Sequence, residues 1–305
     1  MLSLKSTFKS LVELNPHEFH ANLAKYNKSR MSVGIPLSNW EEVENANLKF
    51  RILEGRYIEG LRSAIQPWIN GHEGSADHFS EWFASMLDWA PGQHHPLFNW
   101  LAEEANLEEM KWFLTQEAAG EAGFEDLVAC TQVKLPVQVK LECARNYWDE
   151  MGRGKAGAMH GPLLERMIYG LGLKPTIETT VWESLALGNL MLGLANTRRY
   201  TYQALGALGA IELTAPLRAA KVAQGMKRLG LSQKISGYFD LHAVLDVLHS
   251  QTWISEIVHP LVSSNSESAK FMAEGALMRL KCGHQCFDRY CDELGLNFES
   301  KNSVF

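Results

Sequence analysis

The sequence predicts an all-α fold. Two observations carry this. Helix start signals recur along the chain, each a capping side chain followed by Pro or an acid: Asn15-Pro16-His17-Glu18, Ser38-Asn39-Trp40-Glu41, Ser75-Ala76-Asp77 and Asn106-Leu107-Glu108-Glu109. The segments that follow them are amphipathic or apolar at helical spacing. With 305 residues, 46% apolar and 21% charged, the chain has room for one large helical domain or two small ones and for a sizeable core.

In order, a first helix is expected over residues 16–26, a long amphipathic one through residue 61, and a short one from 75 to 91. Gln93-His94-His95-Pro96 reads as a linker. Its adjacent histidines would diverge on a helix, so they are expected to be solvated loop residues. Asn106 and Glu109 form a capping box for the next helix. It carries Glu117 after Trp112-Phe113-Leu114, then the small residues Ala118, Ala119 and Gly120, which allow a neighbouring helix to come close. Glu121 and Glu125 lie on similar faces, and the residues leave open which of the three points inward.

A further helix ends near Glu150. His160 follows ten residues later, about 15 Å away on a continuous helix. Gly152, Gly154 and Gly157 lie between and predict a bend that folds Glu150 and His160 toward one point. A phosphate-cradling loop is disfavoured, because Gly-Arg-Gly-Lys lacks the longer glycine pattern and the Lys-Ser/Thr ending. Residues 179–197 form an apolar helix, interrupted by Arg198-Arg199-Tyr200. The small-residue run that follows contains Glu212, the single charge between Arg199 and Arg218. Such an acid is expected to be buried and paired. Arg198 or Arg199 is either that partner or a clamp for a substrate carboxylate.

His242, Asp246 and His249, spaced four and three apart, share one face of the next helix, between the apolar residues Ala243, Val244, Leu245, Val247 and Leu248. A solvated face would carry Lys, Glu or Gln instead. A stripe of two imidazoles and a carboxylate calls for a cation, and this donor set suits iron, manganese or zinc. Without metal, the helix is expected to be marginally ordered, with Gly237 as a permissive hinge. Beyond it, Glu256-x-x-His259 ends against Pro260 and reads as the exposed end of a helix. Cys282-Gly-His284-Gln-Cys286 lacks the second cysteine pair of a zinc site. Residues 296–305 read as a frayed tail.

Charge and cysteine usage bound the function. Thirty-five acids against 29 bases give a net charge of −6, and no basic run reverses it, so nucleic acid is not an expected partner. Five cysteines do not read as a disulfide framework. The residues from Met1 to Lys9 lack an uninterrupted apolar core for a signal peptide. The longest uncharged run, 184–197, is too short to span a bilayer, so a membrane is not expected either. A reducing cytoplasm is the expected location.

Glu117, Glu150, His160 after the glycine bend, Glu212 before Thr214-Ala215-Pro216, and His242-x3-Asp246-x2-His249 together resemble the haem-oxygenase-like di-iron oxidases and oxygenases. The phrases Asn-Tyr-Trp-Asp-Glu-Met-Gly-Arg-Gly and Ala-Met-His-Gly-Pro are similar to that group's iron-containing redox enzymes. The resemblance implies a haem-oxygenase-like helical bundle without haem over residues 96–295. Residues 1–95 would then be accessory N-terminal helices packed on it, and 296–305 a tail. It implies that Glu117, Glu150, His160, Glu212, His242, Asp246 and His249 hold two Fe(II) ions, with Glu150 rather than Asp149 as the ligand. It further implies O2 as co-substrate, a peroxo-diferric intermediate, and a small amine or amino-acid-like substrate undergoing N-oxygenation, desaturation or oxidative fragmentation. The expected partners are that small molecule and, as options, an external electron donor and a second copy of the chain. Two other readings share the scaffold: a metal-free bundle of the thiaminase or cofactor-oxidase type, and a non-enzymatic iron-binding helical protein.

Overall fold

The computed structural model of the chain describes residues 15–36, 38–69 and 74–298. The expectations for Met1 to Lys9 and for residues 299–305 of the tail lie outside these. Among the described residues there are thirteen α-helices and no strand. They are α1 (Pro16–Met31), α2 (Trp40–Ile65), α3 (Ala76–Trp89), α4 (Pro96–Glu103), α5 (Leu107–Gly120), α6 (Phe124–Thr131) and α7 (Val137–Glu150). The chain continues through α8 (His160–Leu171), α9 (Trp182–Asn196), α10 (Thr201–Arg228), α11 (Gln233–Trp253), α12 (His259–Ser264) and α13 (Ser268–Glu293). A π-helical turn over Ile254–Val258 joins α11 to α12. No described helix is long and apolar enough to cross a membrane.

The start signals act as their chemistry suggests. Asn15 Oδ1 accepts from Glu18 N at 2.9 Å, and Asn106 with Glu109 closes a full capping box. α1 runs past residue 26 to Met31, because its last turn has tertiary partners. Asn27 donates to Asn189 Oδ1 at 2.7 Å, and Arg30 pairs with buried Glu54 at 2.7 Å. His95 is not a solvated loop residue. Its Nδ1 accepts from Leu97 N at 3.3 Å and caps α4.

α10 is the central element. It packs against α11, α13 and α4, and its small residues let the neighbours come to backbone contact. A Cβ on Gly206 would lie 1.9 Å from the Met272 carbonyl oxygen, and one on Gly275 would lie 1.8 Å from that of Gln203. So α10 and α13 cross with nothing between them. Two apolar clusters flank this axis. One gathers Phe79, Phe83, Leu208, Trp253 and Met272; the other gathers Phe98, Phe113, Met226 and Phe287. Side chains of α2 and α3 belong to the first cluster together with those of α9, α10 and α13. α10 continues through the buried Pro216, four residues after Glu212. Proline has no N–H, so the Glu212 carbonyl loses its helical donor.

α11 is turned inside out. His242, Asp246 and His249 are buried, whereas Val244 is 74% and Leu248 55% exposed. Phe239 and Trp253 anchor the two ends of the helix in the apolar clusters, but between them Val244, Val247 and Leu248, which would ordinarily dock a helix, face outward.

The contrast between crossing and open glycines is testable. Gly275→Ala should destabilise the protein by about 3 kcal/mol, because backbone on both sides must move. Gly237→Ala, where a Cβ meets nothing within 4 Å, should be neutral or stabilise by about 0.5–1 kcal/mol. Urea unfolding of the two variants checks both signs.

Candidate metal centre

Four helices bring their donors to one buried point: the last residue of α7 (Glu150), the first of α8 (His160), the middle of α10 (Glu212) and the inner stripe of α11. The glycine bend makes the first two meet. Gly152, Arg153 and Gly154 have φ of 60°, 52° and 81°, three successive left-handed residues that reverse the chain. At Gly152 no other residue fits, since a Cβ would lie 2.6 Å from the Ala158 carbonyl carbon.

Glu150 sits at the centre. Its Oε2 is 3.0 Å from His160 Nδ1 and 3.6 Å from His242 Nε2, and those two nitrogens are 3.0 Å apart. Its Oε1 faces the other way, 3.6 Å from His249 Nδ1. That nitrogen is 3.4 Å from Glu212 Oε2 and 4.0 Å from Asp246 Oδ1. One carboxylate thus offers one oxygen to each of two donor groups. Glu150, His160 and His242 form the first, and Glu150, Asp246 and His249 the second, with Glu212 beside it.

Outer hydrogen bonds aim these donors. His242 Nδ1 lies 2.7 Å from the Tyr238 carbonyl oxygen, so Nδ1 carries the proton and the Nε2 lone pair faces the centre. His249 Nε2 meets Asp149 Oδ2 at 3.4 Å, which leaves Nδ1 inward. Arg153 holds Asp149 in turn at 2.6 Å. Asn146 Nδ2 donates to Glu212 Oε1 at 2.5 Å, leaving Oε2 for the centre. Behind His160, the Tyr238 hydroxyl is 3.2 Å and Glu121 Oε1 3.5 Å from Nε2.

The electrostatics are those of a site built around positive charge. Burial works against ionisation throughout. Even so, Glu121 and Glu150 hold His160 well above its ordinary value. Glu212 likewise holds His249 up, to about 9. Glu150, buried too, is held well below the carboxylate range by His160 and His242. Asp246 is pushed up to about 8, by burial first and then by Glu212. Two buried donor atoms, Asp246 Oδ1 and His249 Nδ1, have no hydrogen-bond partner. Orphaned lone pairs in a polar cluster are costly unless an ion fills them. Separations of 3.0–3.6 Å among Glu150, His160 and His242 suit donors sharing one ion at about 2.0–2.2 Å. The residues present therefore fit divalent metal, and carboxylate with imidazole and no thiolate fits iron.

Of the seven donors that the resemblance implies, six converge. Glu117 does not join them. It lines the same cavity one turn earlier on α5, beside Arg218, Arg279 and Tyr290, and Glu121 takes the place against His160. A spacing of four puts both acids on one helix face, so their identity in sequence could not separate them. Glu125 accepts from Gly161 N at 3.3 Å and caps α8. The expected arginine clamp is also corrected. Arg198 donates to the Thr131 carbonyl at 3.0 Å and to that of Val133, while Arg199 pairs with Glu59 at 2.9 Å. Neither is the partner of Glu212, and neither lines the cavity. Tyr238, Asn146 and Arg218 are functional-site residues beyond the expected set. The signal for Arg218 was an arginine in an otherwise small-residue helix face, six residues after Glu212. Glu256 and His259 turn away, to Gln138 at 3.0 Å and Asp77 at 3.0 Å. Cys282 and Cys286 are buried free thiols.

A helical bundle with a buried carboxylate–imidazole cluster defines a class, and comparison with known proteins agrees with it. The profile of the iron-containing redox enzymes matches residues 111–284, more than half of the chain. The chain belongs to that family, and the match spans all the donors from Glu117 to His249. A CADD-like protein of unknown function from Nostoc punctiforme PCC 73102 superposes with a TM-score of 0.56 at 17% identity, over 72% of this chain and 97% of that one. A domain of unknown function with a haem oxygenase-like fold from Shewanella denitrificans OS217 does so with a TM-score of 0.50 at 16% identity, over 74% and 94%. These likenesses establish the haem oxygenase-like fold. No curated protein matches the chain.

Two tests follow from the cluster. In metal-free protein the folded-state values of His249 (about 9, ordinarily 6.5) and Asp246 (about 8, ordinarily 3.8) are both raised. A raised group stabilises fully below its unfolded value and loses that contribution as pH climbs through the folded one. The Tm of chelator-treated protein should therefore fall from pH 6.5 to 9. Metal needs the deprotonated ligands, so the stabilisation it adds should grow over the same range. Differential scanning calorimetry of both forms reads the two trends, and an added Tm that shrinks with pH would contradict the ligand set. In the second test, α11 has little outer packing, so hydrogen exchange across residues 238–252 should slow on metal loading. Equal, strong protection in both forms would show a preformed helix.

Proposed function

We propose that this protein is an O2-dependent oxidoreductase that holds two ferrous ions and oxidises a small amine or amino-acid-like molecule. The observation that carries the reading is Glu150, which turns one oxygen to each of two donor groups. His160 and His242 would hold one ion with it, and Glu212, Asp246 and His249 the other. Bound ferrous iron supplies electrons to O2, chemistry that no side chain in the cavity provides.

The chain's own contributions are positioning and proton control. Asp149, Asn146 and the Tyr238 carbonyl fix which atom of His249, Glu212 and His242 turns inward. The Tyr238 hydroxyl, 3.2 Å from His160 Nε2, is a proton-bearing group on the cavity wall within hydrogen-bond reach of that imidazole. The cavity volume of about 150 Å³ is below the range usual for drug-sized ligands, which fits a small metabolite. A metal-free reading leaves Asp246 Oδ1 and His249 Nδ1 buried and unsatisfied, so it is the weaker one.

Anaerobic loading with ferrous iron followed by elemental analysis should give two irons per chain, and admitting O2 should then give oxygen uptake. One iron or fewer in fully active protein would sink the proposal. Glu150→Ala should lose both ions. Glu121→Gln should lower iron affinity by about tenfold to a hundredfold, whereas Glu117→Gln should retain both ions.

A further inference from the structure

The cavity also holds two guanidinium groups that the metal donors do not use. Arg218 and Arg279 both line it, with Glu117 and Tyr290 beside them. Arg218 is half-buried among aromatic rings, 5.5 Å from the centre of Phe287 and 6.0 Å from that of Phe98, and donates to Thr214 Oγ1 at 3.0 Å. Arg279 lies back along α13 over Gly283, where a Cβ would come within 2.7 Å of its Nη1. Its Nε is buried with no hydrogen-bond partner. Burial first, and then the neighbouring charge of Arg279, pull Arg218 down to about 9.

The charges here do not balance. Two guanidinium groups face one carboxylate, Glu117, and the remaining acids of the cavity belong to the metal donors and Glu121. One positive charge is left over in a confined, largely apolar space, where an uncompensated charge is costly. A planar anion with two oxygens is what guanidinium groups recognise best.

We propose that the substrate carries a carboxylate that binds between Arg218 and Arg279, with its apolar body extending along the cavity toward the metal donors. The assignment of this ligand as substrate rests on the metal-dependent function proposed above. Arg218 follows Glu212 by six residues, about 9 Å along α10. The atom presented to the centre is therefore several bonds from the carboxylate, not next to it. Apolar residues such as Met191, Ile211 and Phe239 line the same cavity and favour an aliphatic or aromatic body over a polar one. Glu117 competes with the ligand for the same two cations. Removing either arginine should weaken binding, and neutralising Glu117 should strengthen it.

Calorimetric titration with straight-chain monocarboxylates from butanoate to octanoate, each beside its primary amide, tests this on metal-free protein and on anaerobic iron-loaded protein. At least one acid should bind about tenfold or more tightly than its amide in both forms. Arg279→Gln should lower the affinity for that acid by about tenfold or more with iron content unchanged. Glu117→Gln should raise it. Acids and amides binding alike, or Arg279→Gln leaving the affinity unchanged, overturns the proposal. Should an arginine variant fail to fold, Glu117→Gln carries the test, and weaker acid binding in that variant overturns it too. Wild-type protein that takes up two irons but does not prefer acids refutes this inference alone. Protein that takes up no iron yet prefers acids upholds the anion site and refutes only the metal-dependent function.

Discussion

Six ionisable side chains share one buried point, and beyond one another they meet only the outer carboxylates Glu121 and Asp149 as counter-charges. Three imidazoles and three carboxylates at 3.0–4.0 Å would repel or strand their lone pairs without shared protons or a shared cation. The surrounding architecture is arranged around that constraint. α10 is built of small residues, so α11 and α13 can close on it. The bend after α7 reverses the chain within a few residues. The outer hydrogen bonds from Asn146, Asp149 and Tyr238 choose the inward atom of each ligand. Much of the polar chemistry lies in the second layer, and it explains why six donors can stand so close.

The cavity divides along its length. Its acidic end is matched to metal cations. Its other end is cationic, with Glu117 as the single local counter-charge. Both ends draw on the same elements: α5 supplies Glu117 to one and its C-cap Glu121 to the other, and α10 supplies Glu212 and Arg218. Helical rise sets the distance between the ends, so any ligand spanning them is measured by backbone geometry rather than by loops.

Much of this was legible in the sequence. The start signals at Asn15 and Asn106 act through the very side chains that suggested them. The spacing of His242, Asp246 and His249 puts all three inward, and the glycines after Glu150 place it beside His160. Where the structure differs from the sequence pattern, the causes are physical. Glu117 and Glu121 are one turn apart on one face, and only tertiary packing decides which of them meets His160. Arg198 and Arg199 looked like a clamp because they precede the small-residue helix. Carbonyls near the end of α6 and the Glu59 carboxylate had already claimed them. Arg218 was hidden by its position beyond Pro216, in a helix that the proline does not end. His95 looked solvated because a histidine capping its own helix leaves no periodic signal.

With metal as its inner counter-charge, the inverted helix α11 would tie the protein's lifetime to its metal supply. A helix docked by its apolar stripe stays docked whatever its ligands do. This one shows Val244 and Leu248 to solvent and keeps its ionisable groups inside. Without a metal ion, the inner groups would lose their shared counter-charge, and a released α11 would add its inner surface to the apolar residues already exposed on its outer face. Such a segment is open to proteases and to self-association. Starved of iron, the cell would hold fewer copies of the chain, not a store of idle ones, so abundance itself would report metal status.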